Sequence, residues 1–155
     1  MNSEALQALA AEAAACTACR LAETRNSVVF GVGGSNADLM IIGEAPGRNE
    51  DLQGEPFVGA AGRLLDRLAG EVGIERDETY IANVLICRPP GNRDPREDEI
   101  AACKGYLAQQ IRLIDPAVVM TLGNFASKLL LKTTTGITRL RGTAYPWWGL
   151  SLIHI

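Results

Sequence analysis

The sequence has little of what a secreted or membrane protein carries. No apolar run approaches the roughly 20 residues that a membrane-spanning helix needs. The opening stretch, MNSEALQALAAEAAAC, contains Glu4 and Glu12 but no lysine or arginine. It therefore lacks the basic start of a secretory signal and favours a short Ala-rich helix. We expect a cytoplasmic protein that makes no contact with a membrane.

There is also no excess of positive charge. The formal net charge is −3, so the chain lacks the overall basic character typical of proteins that bind nucleic acid by bulk electrostatics. Nucleic-acid contacts would depend on local groups of arginines. Two groups occur in predicted loops, the first with Arg88, Arg93 and Arg96 and the second with Arg139 and Arg141. Both groups are equally typical of ordinary solvated charges.

Internal repeats and low-complexity linkers are absent, and 155 residues fit one domain, which we expect to be a monomer. Apolar runs typical of buried strands occupy residues 38–42, 79–86 and 117–122, with a less certain run beginning near Trp148. Helical patterns occupy residues 60–72, 96–114 and 124–131. This alternation predicts an α/β fold with three αβα layers around a central, mostly parallel four-stranded sheet.

The loops after the predicted strands carry the unusual residues. In an open α/β sheet, ligands bind beyond the carboxyl ends of the strands. The first such loop, GEAPGRNED at 43–51, has the glycines of a phosphate-binding turn but no Lys or Ser/Thr at the positions a nucleotide loop needs. It has three carboxylates instead. A nucleotide-binding protein is therefore poorly supported.

The four cysteines follow the pattern C-x2-C-x67-C-x15-C, formed by Cys16, Cys19, Cys87 and Cys103. In a chain without a leader, cysteines are more often metal ligands or buried thiols than disulfides. Zinc sites usually pair two CxxC motifs, whereas iron–sulfur clusters accept scattered ligands. The spacing favours a four-thiolate metal site, with four unconnected cysteines as the alternative.

Taken together, these motifs resemble the family 4 uracil-DNA glycosylases, the iron–sulfur type of bacteria and archaea. The motifs are CTAC, GEAPGRNED, GEPFVGAAGRLL, NVLICRPPGNRDP and the cysteine at 103, and the resemblance covers residues 16–148. It implies the glycosylase fold and a DNA repair enzyme. Such an enzyme flips uracil out of DNA and hydrolyses its N-glycosidic bond, leaving an abasic site. It also implies a [4Fe–4S] cluster on Cys16, Cys19, Cys87 and Cys103.

The resemblance assigns base recognition to two residues. Phe57 matches the residue that stacks on the flipped base, although a core phenylalanine is the alternative. Asn83 offers one donor and one acceptor, which pair with uracil and mismatch cytosine at both positions. Polar sites of this kind can discriminate by roughly 10⁴ or more. A turn residue at the end of a strand is the alternative for Asn83.

The resemblance also implies a catalytic role for the acidic GEAPGRNED loop. Cleavage develops positive charge on the sugar and negative charge on the departing base, and a carboxylate near the sugar stabilises the first. Glu44 and Glu50 match the acidic positions of the family motif, and a helix N-terminal or ordinary surface carboxylate is the alternative for each. The backbone at Gly43 and Ala45 would face the base, and Ala45 stands where other families have aspartate. The two arginine groups would contact phosphates flanking the flipped nucleotide.

The C-terminal region departs from the family. A His-Pro segment followed by an arginine is expected there, and His154 lies too early to take its role. The last six residues, LSLIHI, match the translation of a common transposase sequencing tag. We therefore expect residues 1–155 to form one domain that is incomplete at its C-terminus, with 150–155 as a non-native tail or, alternatively, a chance hydrophobic strand. Loss of one donor to the leaving group typically costs about 10²–10³ in rate, so a weak or inactive chain is expected.

A second hypothesis comes from a different class of protein. Phage proteins related to polymerases share several of these motifs, so the chain is alternatively a non-catalytic iron–sulfur protein that binds DNA. The presence of Glu44, Phe57 and Asn83 favours the enzyme.

Overall fold

One sheet organises the chain. The computed structural model describes residues 2–147 and 150–154. Within them the strands are β1 (Val32–Gly33), β2 (Leu39–Gly43), β3 (Thr79–Asn83), β4 (Val118–Thr121), β5 (Ala144–Trp147) and β6 (Leu150–His154). Their order across the sheet is β1-β3-β2-β4-β6-β5. The middle four are parallel, while β1 and β5 pair antiparallel at the two edges.

The predicted fold class is confirmed, because the parallel part of the sheet has four strands. The two antiparallel edge strands were not predicted. The last strand was expected to begin near Trp148, which lies outside the described residues. The backbone of Leu150–His154 pairs with β4, so most of the LSLIHI stretch belongs to the sheet.

The helices are α1 (Asn2–Ala14), α2 (Arg48–Gln53), α3 (Ala60–Glu71), α4 (Glu97–Ile114), α5 (Asn124–Leu131) and α6 (Ile137–Leu140). Single 3-10 turns cover Arg20–Glu23, Arg76–Glu78 and Pro90–Asn92. In the part of the chain that the structure describes, every helix is too short or too polar to cross a bilayer.

Alternating side chains of β2 give the sheet two different faces, as the period of a strand requires. Met40 and Ile42 are fully buried in a core that α4 and α5 cover, and α1 packs in turn on α4. Leu39 and Ile41 point to the opposite face, where they line a shared apolar cleft with residues of α3. Helices on both faces produce the three-layer architecture.

The second apolar run leaves the sheet earlier than predicted. Residues 79–86 are all buried, but only Thr79–Asn83 form β3. After Asn83 the chain bonds to the loop after β2 instead, because the N–H groups of Val84 and Leu85 donate to the carbonyls of Gly43 and Glu44 at 2.9 and 3.0 Å. This junction holds the GEAPGRNED loop against the segment that leads to Cys87.

Candidate active site

Two adjacent parallel strands end at the same place and bring two predicted residues together. Gly43 is the last residue of β2, and it lies opposite Asn83, the last residue of β3. A Cβ atom at residue 43 would lie 2.5 Å from Asn83 Oδ1 and 2.5 Å from Phe57 Cζ. The carboxamide and the phenyl ring therefore meet directly over Gly43. Any larger residue there would collide with both.

The Asn83 side chain forms no hydrogen bond within the described part of the chain, and only 2% of the residue is exposed. Asn83 ends β3, and its amide lies beside the Phe57 ring over Gly43. Its role in base recognition stays a prediction.

The backbone of Phe57 adopts a left-handed conformation, with φ at +54°, which is rare for a bulky residue. The Glu50 carboxylate fixes the segment that follows. One of its oxygens accepts hydrogen bonds from the N–H groups of Val58 and Gly59 at 3.0 and 2.8 Å, and the other accepts one from Gly47 at 3.1 Å. Glu50 thus ties two stretches of loop together through three backbone donors.

The preceding segment is held from another direction. The Arg76 guanidinium donates to the carbonyl oxygen of Phe57 at 3.1 Å and to that of Pro56, and it pairs with Asp66 at 2.8 Å. The backbone of α3 also approaches closely, since a Cβ atom at Gly62 would lie 1.7 Å from the Phe57 carbonyl oxygen. Each peptide group around Phe57 therefore has a defined partner.

The three carboxylates of the GEAPGRNED loop divide into two kinds. Glu50 is bound as described, and Asp51, 1% exposed, accepts hydrogen bonds from the backbone of Asn26 and Ser27 and from the Asn26 amide. Glu44 forms no side-chain hydrogen bond within the described residues and is half-buried. Burial, and then the nearby charge of Asp94, raise the pKa of Glu44 above its ordinary value. The neighbouring Ala45 packs against the core.

The first arginine group does not act as one patch. Arg93 forms a two-pronged ion pair with Glu99, at 2.6 and 3.0 Å, and the Glu99 side chain is completely buried. This pairing lowers the pKa of Glu99 and raises that of Arg93. Arg88 donates to Asn92 at 2.7 Å. Arg96 contributes its backbone N–H to Glu99 and leaves an exposed side chain.

The second arginine group lies on a short helix that is attached at the carboxyl ends of the parallel strands. The Asn124 side chain, at the start of α5 just after β4, accepts a hydrogen bond from the Ile137 N–H at 3.0 Å. This contact anchors α6, which carries Arg139, with Arg141 as its C-cap residue. Both arginines are exposed.

The four cysteines come from three parts of the chain and are all free thiols. Cys87 and Cys103 are buried, and Cys16 and Cys19 are half-buried. Burial is the main cause that raises the pKa of Cys87 and of Cys103, the latter to about 12, and the charges of Cys16 and Cys19 add to both effects. All four thiols therefore share one electrostatic neighbourhood.

The arrangement differs from a single-ion site. Within residues 2–147 and 150–154 no three Cys, His, Asp or Glu side chains converge closely enough to hold one ion. A [4Fe–4S] cluster places one thiolate on each of its irons, so its ligands surround a larger body rather than a point. Four neighbouring free thiols fit such a donor set. Arg25 also donates to the Sγ atom of Cys87 at 3.4 Å.

Comparison with known proteins identifies the class to which the chain belongs. The sequence profile of the Uracil DNA glycosylase superfamily matches residues 30–153, and the chain belongs to that superfamily. It is 45% identical over 149 residues to the type-4 uracil-DNA glycosylase of Sulfurisphaera tokodaii, an alignment that covers 93% of the chain and 68% of that protein. With the type-4 enzyme of Archaeoglobus fulgidus it shares 45% identity over 147 residues, 92% of the chain and 73% of that protein.

A phage protein is also similar. The DNA polymerase of Bacillus phage SP01 is 36% identical over 116 residues, which are 74% of the chain and 12% of the polymerase. The resemblance to family 4 glycosylases is thus confirmed, and the relation to a polymerase is confirmed as similarity of sequence.

Arg76 is the site residue that sequence reasoning missed. It lies in an exposed polar stretch, and its partners on the Phe57 loop are 19 and 20 residues away, so no local spacing marks it. Only the unusual φ at Phe57 indicates that something must hold that loop, and φ is not visible in a sequence.

Replacement of Gly43 tests the close approach at the centre of the site. We expect Gly43→Ala to displace the Phe57 ring or the Asn83 amide and to lower uracil excision by at least about tenfold, as a small misplacement can cost 10²-fold. Single-turnover release of uracil measures it. Gly105→Ala is the matched control, because nothing lies within 4 Å of a Cβ there. Unchanged excision in Gly43→Ala would contradict the geometry.

Proposed function

We propose that this protein is a DNA repair glycosylase that extrudes uracil from DNA and hydrolyses its N-glycosidic bond. One observation carries the proposal: a phenyl ring and an unpaired buried carboxamide meet over Gly43, at the carboxyl ends of two parallel strands. A flat pyrimidine needs a stacking face and a hydrogen-bonding edge, and these two groups supply them. Membership of the superfamily supports the reaction.

Asn83 is the residue that recognises the base in this proposal. Uracil presents an acceptor at O4 beside a donor at N3, and a carboxamide complements both. Cytosine presents the reverse pair, so its binding would leave buried polar groups unsatisfied. Because the Asn83 amide is buried and has no hydrogen-bond partner in the described chain, the base is its natural partner.

Glu44 is the carboxylate that we propose to act at the sugar. Glu50 and Asp51 already accept hydrogen bonds from backbone N–H groups, which leaves Glu44 as the member of the loop available to a substrate. Its ionised form would stabilise positive charge at the sugar or orient water. Glu50 then has a supporting role, since it holds the loop that carries Phe57. The backbone at Gly43 and Ala45 borders the same space.

We further propose that Cys16, Cys19, Cys87 and Cys103 hold a [4Fe–4S] cluster. Four free thiols in one neighbourhood support this assignment. When bound, such a cluster would join the N-terminal segment to α4 and to the segment after β3. That segment begins at Asn83, so the thiols brace the strand end that carries base recognition.

The phosphate contacts are proposed for Arg88, Arg96, Arg139 and Arg141. Arg93 serves the loop instead, because its departure would leave the carboxylate of Glu99 buried without its cation. Arg93 and Arg96, only three residues apart, are thus assigned different roles.

A non-catalytic DNA-binding protein is the second candidate, favoured by the similarity to a phage polymerase. It would bind uracil-bearing DNA without releasing the base. Excision and binding must therefore be measured separately.

The test of the proposed reaction is uracil release from single-stranded and duplex oligonucleotides with protein in excess. We expect Asn83→Asp to lower the rate by at least about 100-fold, because a carboxylate oxygen then replaces the amide donor that faces O4, and both oxygens are acceptors. Glu44→Gln should also lower it. Since the pKa of Glu44 is raised, the wild-type rate should fall on acidification at a higher pH than an ordinary glutamate would cause, and the variant should lack this limb.

Glu55→Gln is the matched control, since Glu55 is exposed and forms no side-chain contact in the described residues. Its rate and pH profile should equal those of the wild type. Because the chain lacks the family's His-Pro segment, the same assay is run on protein extended by that segment. If the extended protein also binds uracil-bearing DNA but never leaves an abasic site, the second candidate is supported instead.

The cofactor proposal predicts iron in protein purified without oxygen. We expect about four irons per chain and absorbance in the visible range, both lost in Cys103→Ser, since a ligand is removed. Thr17→Ser, which changes an exposed residue inside CTAC, should keep both. Stoichiometric zinc in place of iron would reject the cluster.

The sorting of arginines predicts different effects of two neighbouring replacements. Arg96→Gln should reduce the slope of log affinity against log salt by about 1, as expected for one lost phosphate contact. Arg93→Gln should leave that slope unchanged and lower the melting temperature, because Glu99 stays buried and unpaired. Titrations at several salt concentrations and thermal melts measure the two effects. The opposite assignment of effects would overturn the sorting.

A further inference from the structure

The conformation of Phe57 requires an explanation outside its own residue. A bulky side chain at a φ of +54° is strained, and such strain persists only where surrounding contacts over-determine it. The ring could turn away from Gly43 if the backbone relaxed to an ordinary conformation. The groups that prevent relaxation therefore decide where the ring lies.

Two charged side chains of opposite sign hold the loop from its two sides. Glu50 accepts the N–H groups of Val58 and Gly59, which follow Phe57. Arg76 donates to the carbonyls of Pro56 and Phe57, one of which precedes the ring and one of which belongs to the same residue. Glu50 thus binds N–H donors of the loop, and Arg76 binds its carbonyl acceptors.

Arg76 is itself fixed at both ends. Its guanidinium pairs with Asp66 on α3 at 2.8 Å, and its side chain is 29% exposed. Its backbone carbonyl accepts a hydrogen bond from the buried hydroxyl of Thr79, the first residue of β3, at 2.8 Å. The Arg76 side chain therefore links α3 to the loop that carries Phe57, while its backbone carbonyl is tied to the start of β3.

We propose that Arg76 is a positioning residue that holds the Phe57 ring where an extruded uracil can stack on it. The inference rests on the proposed function, since it assigns Arg76 a part in base recognition through Phe57. A planar guanidinium can serve two carbonyls and a carboxylate at once, whereas the compact ammonium of lysine cannot match that fork. Arg76→Lys should therefore keep the positive charge at residue 76 without holding the Phe57 ring in place.

The experiment measures binding rather than turnover. Oligonucleotides with a 2′-fluoro sugar, which slows cleavage, carry either uracil or no base at one position, and anisotropy gives the ratio of their dissociation constants, which is the preference for uracil. We expect Arg76→Gln to reduce the preference for uracil roughly tenfold, in line with the loss of one base–aromatic stack. Arg76→Lys should recover less than half of that loss on a logarithmic scale. Arg67→Gln, at an exposed arginine of α3, is the control and should keep the full preference.

A double-mutant cycle separates positioning from general stability. In a Phe57→Ala background there is no ring to position, so Arg76→Gln should change the preference no further, although it should lower the melting temperature in both backgrounds. Arg76→Gln with full preference would overturn the inference, and so would an equal loss with and without the ring. An undiminished preference in Phe57→Ala alone would also overturn it. Wild-type protein that binds both oligonucleotides equally would instead refute the proposed function.

Discussion

The space above Gly43 governs the whole site. A strand of the central sheet ends there without a side chain, and both the Asn83 carboxamide and the Phe57 ring approach to within 2.5 Å of where a Cβ would lie. Neither group could come so close to any other residue type. The pairing of β2 with β3 brings Gly43 opposite Asn83, and the loop contacts bring Phe57 over both. The proposed recognition of a flat base thus depends on the absence of a side chain at Gly43, which the sheet places opposite Asn83.

The charged groups of the site have two kinds of proposed role: most stabilise the backbone, and one acts on the substrate. Glu50, Asp51, Arg76 and the Arg93–Glu99 pair all saturate backbone groups or one another. Glu44 forms no side-chain hydrogen bond within the described residues, and the proposed function assigns the chemistry to it. The acidic loop therefore contains carboxylates with different proposed roles, structural and catalytic. Hydrogen bonding to backbone N–H groups distinguishes them.

Much of this could be predicted from the sequence. Apolar runs at the right spacing indicate β2, β3 and β4, and the alternation with helices indicates a parallel sheet, so the edge where Gly43 and Asn83 meet was foreseeable. The edge strand Val32–Gly33 was not, since two residues carry no period. Helix α2 was missed because its polar residues show no apolar stripe. The roles of Glu50 and Arg76 depend on long-range contacts to backbone atoms, which side-chain patterns do not report.

The packing of α1 on α4 bears on how the chain is made. Helix α1 is synthesised before α4, whose residues 97–114 carry the surface that α1 covers. Cys16 and Cys19 are likewise synthesised before Cys103. Contacts of such large sequence separation delay folding. Helix α1 therefore cannot dock until α4 has been synthesised, and until then the neighbouring thiols of Cys16 and Cys19 lack the cover of the folded protein.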